Sequence, residues 1–360
     1  MTTPGGHPAF GPGHLPAGPW LRPGWAVAPP APKPGTVPLR ALDAADVIGG
    51  VFGTVRRYPA ALYYPLLLVG LAGAGVFGGC LAVARDAVAP LPASGRLTHQ
   101  QVADLVTAGA ALLVVLALLA VLDYAVAAAV SCVVLRHAVL GRPLTARRAW
   151  AEARPWVWRV LGVQLLVGAA ALGILLASAL PSVVLFLLNG GGAAGWALLL
   201  LLPGTAGALH VGVRLLLAVP VLVLEEQRPV AAVRRAWRLN EGAWWRTLGI
   251  SYAVTLIGDA VARSVTTTLA AGVLQLLPQD ALDGGSDVSA SWLSGSGVLV
   301  LAVGCAAVLA LLSVARAPLA PLTSGLLYLD RRFRRENLAP TLAAAAGTAA
   351  APPPAPGRAW

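Results

Sequence analysis

Residues 106–135 read VTAGAALLVVLALLAVLDYAVAAAVSCVVL, thirty residues with one charge, Asp123. An amphipathic core helix interrupts its apolar residues with polar ones every three or four positions, and a buried strand ends within about eight residues. This stretch does neither. About 20 consecutive apolar residues are enough to cross the hydrocarbon of a bilayer. The segment predicts a transmembrane helix, and the rest of the chain repeats the pattern.

Five further segments have the same character: 60–84, 160–188, 194–224, 247–277 and 297–327. The predicted fold is therefore all-α, a polytopic membrane protein with six spans. The composition agrees: 58% of the 360 residues are hydrophobic and 11% charged, where soluble domains run near 25% charged. Several spans exceed 20 residues, which predicts tilt or projection beyond the lipid. Residues 1–38 hold 11 Pro and 7 Gly and predict a disordered tail, because such a segment buries too little apolar surface to offset its ordering entropy. Residues 339–360, rich in Ala and Pro, predict a second tail, leaving 39–338 as the membrane domain.

The net charge of +11 would suggest nucleic acid in a soluble domain. Here its distribution points to the membrane instead, and no nucleic acid is expected. Of 26 basic residues, 21 lie in 1–59, 136–159, 225–246 and the segment after 330. The alternate loops are neutral or acidic: 85–105 balances its charges, 189–193 reads NGGGA, and 278–296 carries Asp280, Asp283 and Asp287 with no base. By the positive-inside rule both termini face the cytoplasm of an inner membrane.

A sixteen-residue phrase is written twice. RRAWAEARPWVWRVLG at 147–162 and RRAWRLNEGAWWRTLG at 234–249 share eight identities at one offset of 87 residues. Each copy precedes a span on the basic side. Wound as a helix, the first places Trp150, Val157 and Trp158 on one face, with Arg147, Arg148, Glu152 and Arg154 elsewhere. The second places Val233, Trp237, Trp244 and Trp245 together, with Arg234, Arg235 and Arg238 opposed. Such helices lie in the membrane surface with arginines toward anionic headgroups. Pro155 and Gly242 occupy equivalent positions and predict a break before each span. The surface elbows thus comprise Arg147, Arg148, Trp150 and Trp158, then Arg234, Arg235, Trp237 and Trp245. A third instance rests on layout: LDAADVIGGVFGTVRRY at 42–58 puts Val47, Val51 and Phe52 on one face before the first span. The chain then divides into three units of elbow plus two spans, 42–135, 143–224 and 229–328.

VPLRALDAADVIGGVFGTVRRYPAAL at 37–62, the two RRAW phrases, and LTSGLLYLDRRFRREN at 322–337 together resemble the glycerophosphoryl diester phosphodiesterase membrane-domain family of bacterial polytopic proteins. The resemblance covers about 37–338 and implies a membrane location and fold. It implies no phosphodiesterase activity, since the barrel fused to such regions in some proteins needs roughly 250 residues and the stretch after Asp330 is far shorter.

No H-E-x-x-H, G-x-S-x-G or phosphate-binding loop is written in the chain. The three cysteines, Cys80, Cys132 and Cys305, lie far apart in apolar blocks, and the acidic loop lacks the calcium-binding spacing. No enzyme, metal or cofactor is expected. The informative residues are charges within spans, which are costly in lipid. Counted from the basic side at 1.5 Å per residue, Asp123, Arg214, Asp259 and Arg316 lie roughly 15–18 Å deep. Arg263 follows one turn beyond Asp259 on the same face. These five predict a neutral intramembrane network, serving either as glue between helices or as a polar site. The function expected is a non-enzymatic membrane module that binds lipid or a protein partner, the alternative being a small-solute permease with a midplane site.

Overall fold

The computed structural model describes residues 34–88, 98–189, 194–276, 312–336, 339–345 and 347. Their regular structure is helical, with no strand among them. In chain order the helices are α1 (Ala44–Arg57), α2 (Pro59–Val88), α3 (His99–Val139), α4 (Ala146–Asn189), α5 (Ala194–Leu215), α6 (Ala218–Leu224), α7 (Pro229–Leu239), α8 (Trp244–Leu276), α9 (Leu319–Glu336) and α10 (Ala339–Ala345). A short helical stretch over 312–316 precedes α9.

Five segments are long and apolar enough to cross a membrane: Pro59–Cys80, His99–Val139, Ala146–Val184, Leu201–Leu224 and Trp244–Leu269. This is the architecture of a multi-pass membrane protein. Residues 297–311 of the predicted sixth span, 297–327, lie outside the described residues, as do Asp280, Asp283, Asp287 and Cys305. The part of it that is described is not a single helix. A turn at Ala317–Pro318 separates 312–316 from α9, whose end carries charges.

Helix α3 shows how the molecule divides. At 41 residues it is ~61 Å long, about twice the hydrocarbon thickness. Its start is capped reciprocally, with the Gln101 amide donating to Thr98 Oγ1 at 3.3 Å and the Thr98 amide to Gln101 Oε1 at 3.0 Å. Its first half exposes Val106, Leu113, Val114 and Leu118, the kind of surface that lipid covers. From Ala125 to Leu135 every residue is buried. That second half packs with α6 and α9, against which α1 lies, into a dense base where Leu62, Leu66, Leu135, Leu217, Leu222, Leu322 and Leu326 are fully enclosed. Gly325 allows a close crossing of α9 on α3: a Cβ there would come within 2.4 Å of Leu135 Cδ2.

The base also takes in residues that composition assigns to the tails. Val37 and Leu39 are buried, and the Thr36 amide donates to the Ala138 carbonyl at 3.1 Å. The buried Val37 and the Thr36 backbone bond, continued by Leu39 of the expected membrane domain, hold this Pro/Gly-rich segment, so 34–38 belong to the base. Leu342 of α10 likewise packs against the core, so 339–345 are helical.

In α1 the buried residues are Val47, Gly50, Val51 and Thr54, at helical spacing. Phe52, expected on that face, is exposed. Small side chains at 50 and 54 let α1 approach α9, where a ring would not fit.

Candidate functional site

The two copies of the repeated phrase differ in backbone. The second forms two helices: α7 ends at Leu239, and Gly242 at φ +72° turns the chain into α8. The first does not break. Pro155 lies inside the continuous 44-residue α4, so the expected first elbow is the base end of the span itself. Proline removes one amide and crowds the carbonyl a turn before it, which bends a helix without ending it when tertiary packing holds both sides. A glycine at positive φ reverses direction outright.

Side-chain environments nevertheless match. Ala149 and Ala236, Ala153 and Asn240, and Val160 and Thr247 are equivalent pairs, and all six are fully buried. Trp150 and Trp237 are 37% and 41% exposed, Trp158 and Trp245 73% and 78%. The tryptophans are therefore not the packing face, contrary to the grouping of Trp150 and Trp158 with Val157, which is buried. Alanines permit close helix approach, and indoles are left on the outer side. Arg147 and Arg234, also equivalent, are exposed with no ion pair among the described residues.

The other arginines converge at the base. Glu152 receives Arg148 Nε at 2.8 Å and Arg136 Nη2 at 2.9 Å, with His137 Nε2 at 3.8 Å, in a cleft of about 330 Å³. On the side of the second copy, α9 spends nearly every polar residue of YLDRRFRRE. Asp330, fully buried, accepts from the Leu42 amide at 3.0 Å and from Arg334 Nε at 2.8 Å, with Arg246 Nε at 3.5 Å. Arg334 Nη2 and Arg246 Nη2 both donate to the Leu42 carbonyl. Tyr328 donates to Glu225 Oε1 at 2.7 Å, Glu225 pairs with Arg235, and Arg235 and Arg332 share Glu336 at 2.8 and 2.6 Å. Arg335 caps the end of α7 through the Arg238 and Glu241 carbonyls at 2.8 and 2.6 Å. Burial and the Glu225 hydrogen bond push the Tyr328 hydroxyl well above its usual range. Burial works to raise the Glu336 carboxyl, but Arg332 and Arg235 outweigh it and hold the group below the usual glutamate range.

Within the spans the predicted network is a pair. Arg316 Nη1 meets Asp259 Oδ1 at 2.6 Å. With Ala262, Arg263, Thr266, Leu312 and Ser313 they line a cleft of about 320 Å³. Arg263 is in the cleft, but Asp259 is bound to Arg316 and not to it. Asp123 stands apart, its Oδ1 buried with no hydrogen-bond partner among the described residues. Arg214 does not join it. The turn at Leu216–Leu217 ends α5 just beyond Arg214, and its guanidinium lies 5.1 Å from the Trp237 ring centroid in the second copy. Depth counted along an unbroken helix placed it too far from the base. His210, a turn earlier, stacks on Trp244 at 5.6 Å and meets Trp237 edge-on at 6.4 Å.

The hub at Asp330 was not foreseen from the sequence, although its signal is written there. Tyr328 and Arg332, Asp330 and Arg334, and Arg332 and Glu336 are all spaced i, i+4, which places each pair on one helix face.

No family model, curated protein or solved structure matches the chain.

Proposed function

We propose that the protein is a non-enzymatic module of the cytoplasmic membrane, with its base on the cytoplasmic side and its repeated arginine–tryptophan stripes in contact with anionic headgroups. One observation carries the reading. Two segments 87 residues apart leave the same residues outward, Arg147 and Arg234 with Trp158 and Trp245, while burying the same positions beneath. In α4 the outward residues Arg147, Trp150, Arg154 and Trp158 follow one helical stripe. Indole rings and guanidinium groups together suit the headgroup layer, where each base contributes about 1 kcal/mol against anionic lipid. The second copy, a separate amphipathic helix, acts as the in-plane elbow, and the first as a collar on its span. The resemblance to the phosphodiesterase membrane-domain family supports the same location.

Depth-dependent quenching tests this in nanodiscs containing phosphatidylglycerol. Lipids labelled near the headgroup should quench a fluorescence component that Trp158→Phe and Trp245→Phe remove. If those two tryptophans answer only to aqueous quenchers, the reading is wrong. A reporter fused after Gly285 should be active only outside the cytoplasm, and cytoplasmic activity would reverse the orientation.

A second reading, a small-solute permease, is favoured by the polar cleft around Asp259 and Arg316 within a span-forming region.

A further inference from the structure

Among the described residues, the charges of the Asp259 cleft do not balance. Asp259, Arg263 and Thr266 fall at i, i+4 and i+7 on one face of α8, and Arg316 and Ser313 face them from the 312–316 stretch. One carboxylate thus meets two guanidiniums. The carboxylate is engaged by Arg316 through one nitrogen, Nη1. Arg263 has no ion pair among the described residues, and its side chain is exposed to the cleft. It lies 19 residues into α8, ~28 Å from the base end and so toward the far side of a hydrocarbon layer about 30 Å thick, where a solute or headgroup from that side can reach it. The Thr266 hydroxyl donates to the Ala262 carbonyl at 2.7 Å, which leaves its oxygen as a neutral acceptor.

We propose that this cleft binds a phosphate or carboxylate group, with Arg263 as the principal ligand and Arg316, positioned by Asp259, as the second. A guanidinium presents its N–H groups as a planar fork that matches the two oxygens of either group. The volume of about 320 Å³ admits a small organic anion or a headgroup and falls at the lower end of small-molecule sites. The inference rests on the second reading, that the cleft admits a ligand, and is independent of whether the base touches headgroups.

The test uses the full chain in nanodiscs. In phosphatidylcholine alone, inorganic phosphate and acetate are titrated against the protein. In parallel, phosphatidylglycerol retained after detergent extraction is counted by native mass spectrometry. Wild type should bind at least one probe saturably. Arg263→Gln should weaken that binding at least tenfold. Thr266→Glu, which supplies Arg263 with a carboxylate one turn away, should do the same without leaving a charge unpaired, so it decides the case if Arg263→Gln fails to fold. The Arg147→Gln/Arg234→Gln pair should leave cleft binding unchanged. A response to the soluble anions identifies a free solute, and a response confined to phosphatidylglycerol identifies a lipid headgroup. If wild type binds none of the probes, or both cleft variants bind like wild type, the proposal fails. A permease for neutral solutes would survive that failure.

Discussion

Residues 147–162 and 234–249 carry nearly the same phrase, yet one is the start of a single long helix and the other a helix, a turn and a second helix. Their buried faces agree position by position. What differs is what fills the equivalent interior. The first copy buries Ala153 and Val160. The second buries Asn240 and Thr247, joined by a 2.7 Å hydrogen bond, with Asn240 also donating to the Val213 carbonyl at 2.7 Å. Apolar filling needs no partners and suits a straight helix. The polar pair satisfies itself and adds a donor to the Val213 carbonyl near the end of α5. The lesson is that a repeat preserves which positions are buried while leaving the means of satisfying the backbone free to vary.

The comparison is broken most severely at Asp330. Asp330→Ala leaves the Leu42 amide, Arg246 and Arg334 without their acceptor and should cost about 3 kcal/mol or more, read as a lower melting temperature and folded yield in detergent. Glu152→Gln, at the counterpart ion cluster of the first copy, should cost about 1 kcal/mol or less, because its arginines are largely open to solvent. Next come Asn240→Ala and Thr247→Val. Each alone should destabilise by about 1–3 kcal/mol, and the double variant, which makes the second interior resemble the first, by less than the sum. Strict additivity would show that the two side chains do not act as a unit.

At the equivalent pair Pro155 and Gly242, alanine should act with opposite sign. Gly242→Ala strains a positive φ and should cost about 1 kcal/mol, whereas Pro155→Ala restores a helix amide and should leave the melting temperature unchanged or higher. Acid has a smaller effect. A carboxyl held below its unfolded value adds stability above that value and loses it as pH falls through its folded pKa. Glu336 therefore supports the α7–α9 contact at neutral pH, and that support declines below about 4.3. Melting curves of Glu336→Gln should lack this component of the acid loss. Smallest are Trp158→Ala and Trp245→Ala, each within about 0.5 kcal/mol in detergent, since neither ring is enclosed.

Much of this molecule was legible in its sequence. The apolar runs at α2 to α5 and α8 were unmistakable because lipid imposes length and composition together. The cost of burying charge grouped Asp259 with Arg316 in a network of five and offered Arg263 as the nearest partner, whereas the bond is made by Arg316, 57 residues away. Orientation of helix faces was harder to read. Hydropathy ranks tryptophan above alanine as a packing residue, but in a close helix crossing size decides, so Ala149 and Ala236 went inward and the indoles out. Helix interruptions were also misjudged. Pro155 did not end a helix, while Pro220, which offers no amide to the Leu216 carbonyl and crowds it, coincides with the break at Leu216–Leu217, and that turn took Arg214 out of the expected network. The base was read as loops because its charges are dense, and density alone does not reveal that Asp330, Arg331 and His137 are buried.

The bond from Asp330 to the Leu42 amide joins residues 288 positions apart. Ribosomes deliver a chain from its amino end, so the strap at 34–42 and the first spans must wait in the membrane for α9 before the base can seal. Until then the enclosed half of α3 lacks part of its cover, and any quality-control protease that samples it meets an open surface. Synthesis halted before α9 should therefore yield short-lived fragments even when every earlier span has inserted, and pulse–chase lifetimes of truncations on either side of Asp330 would show the step.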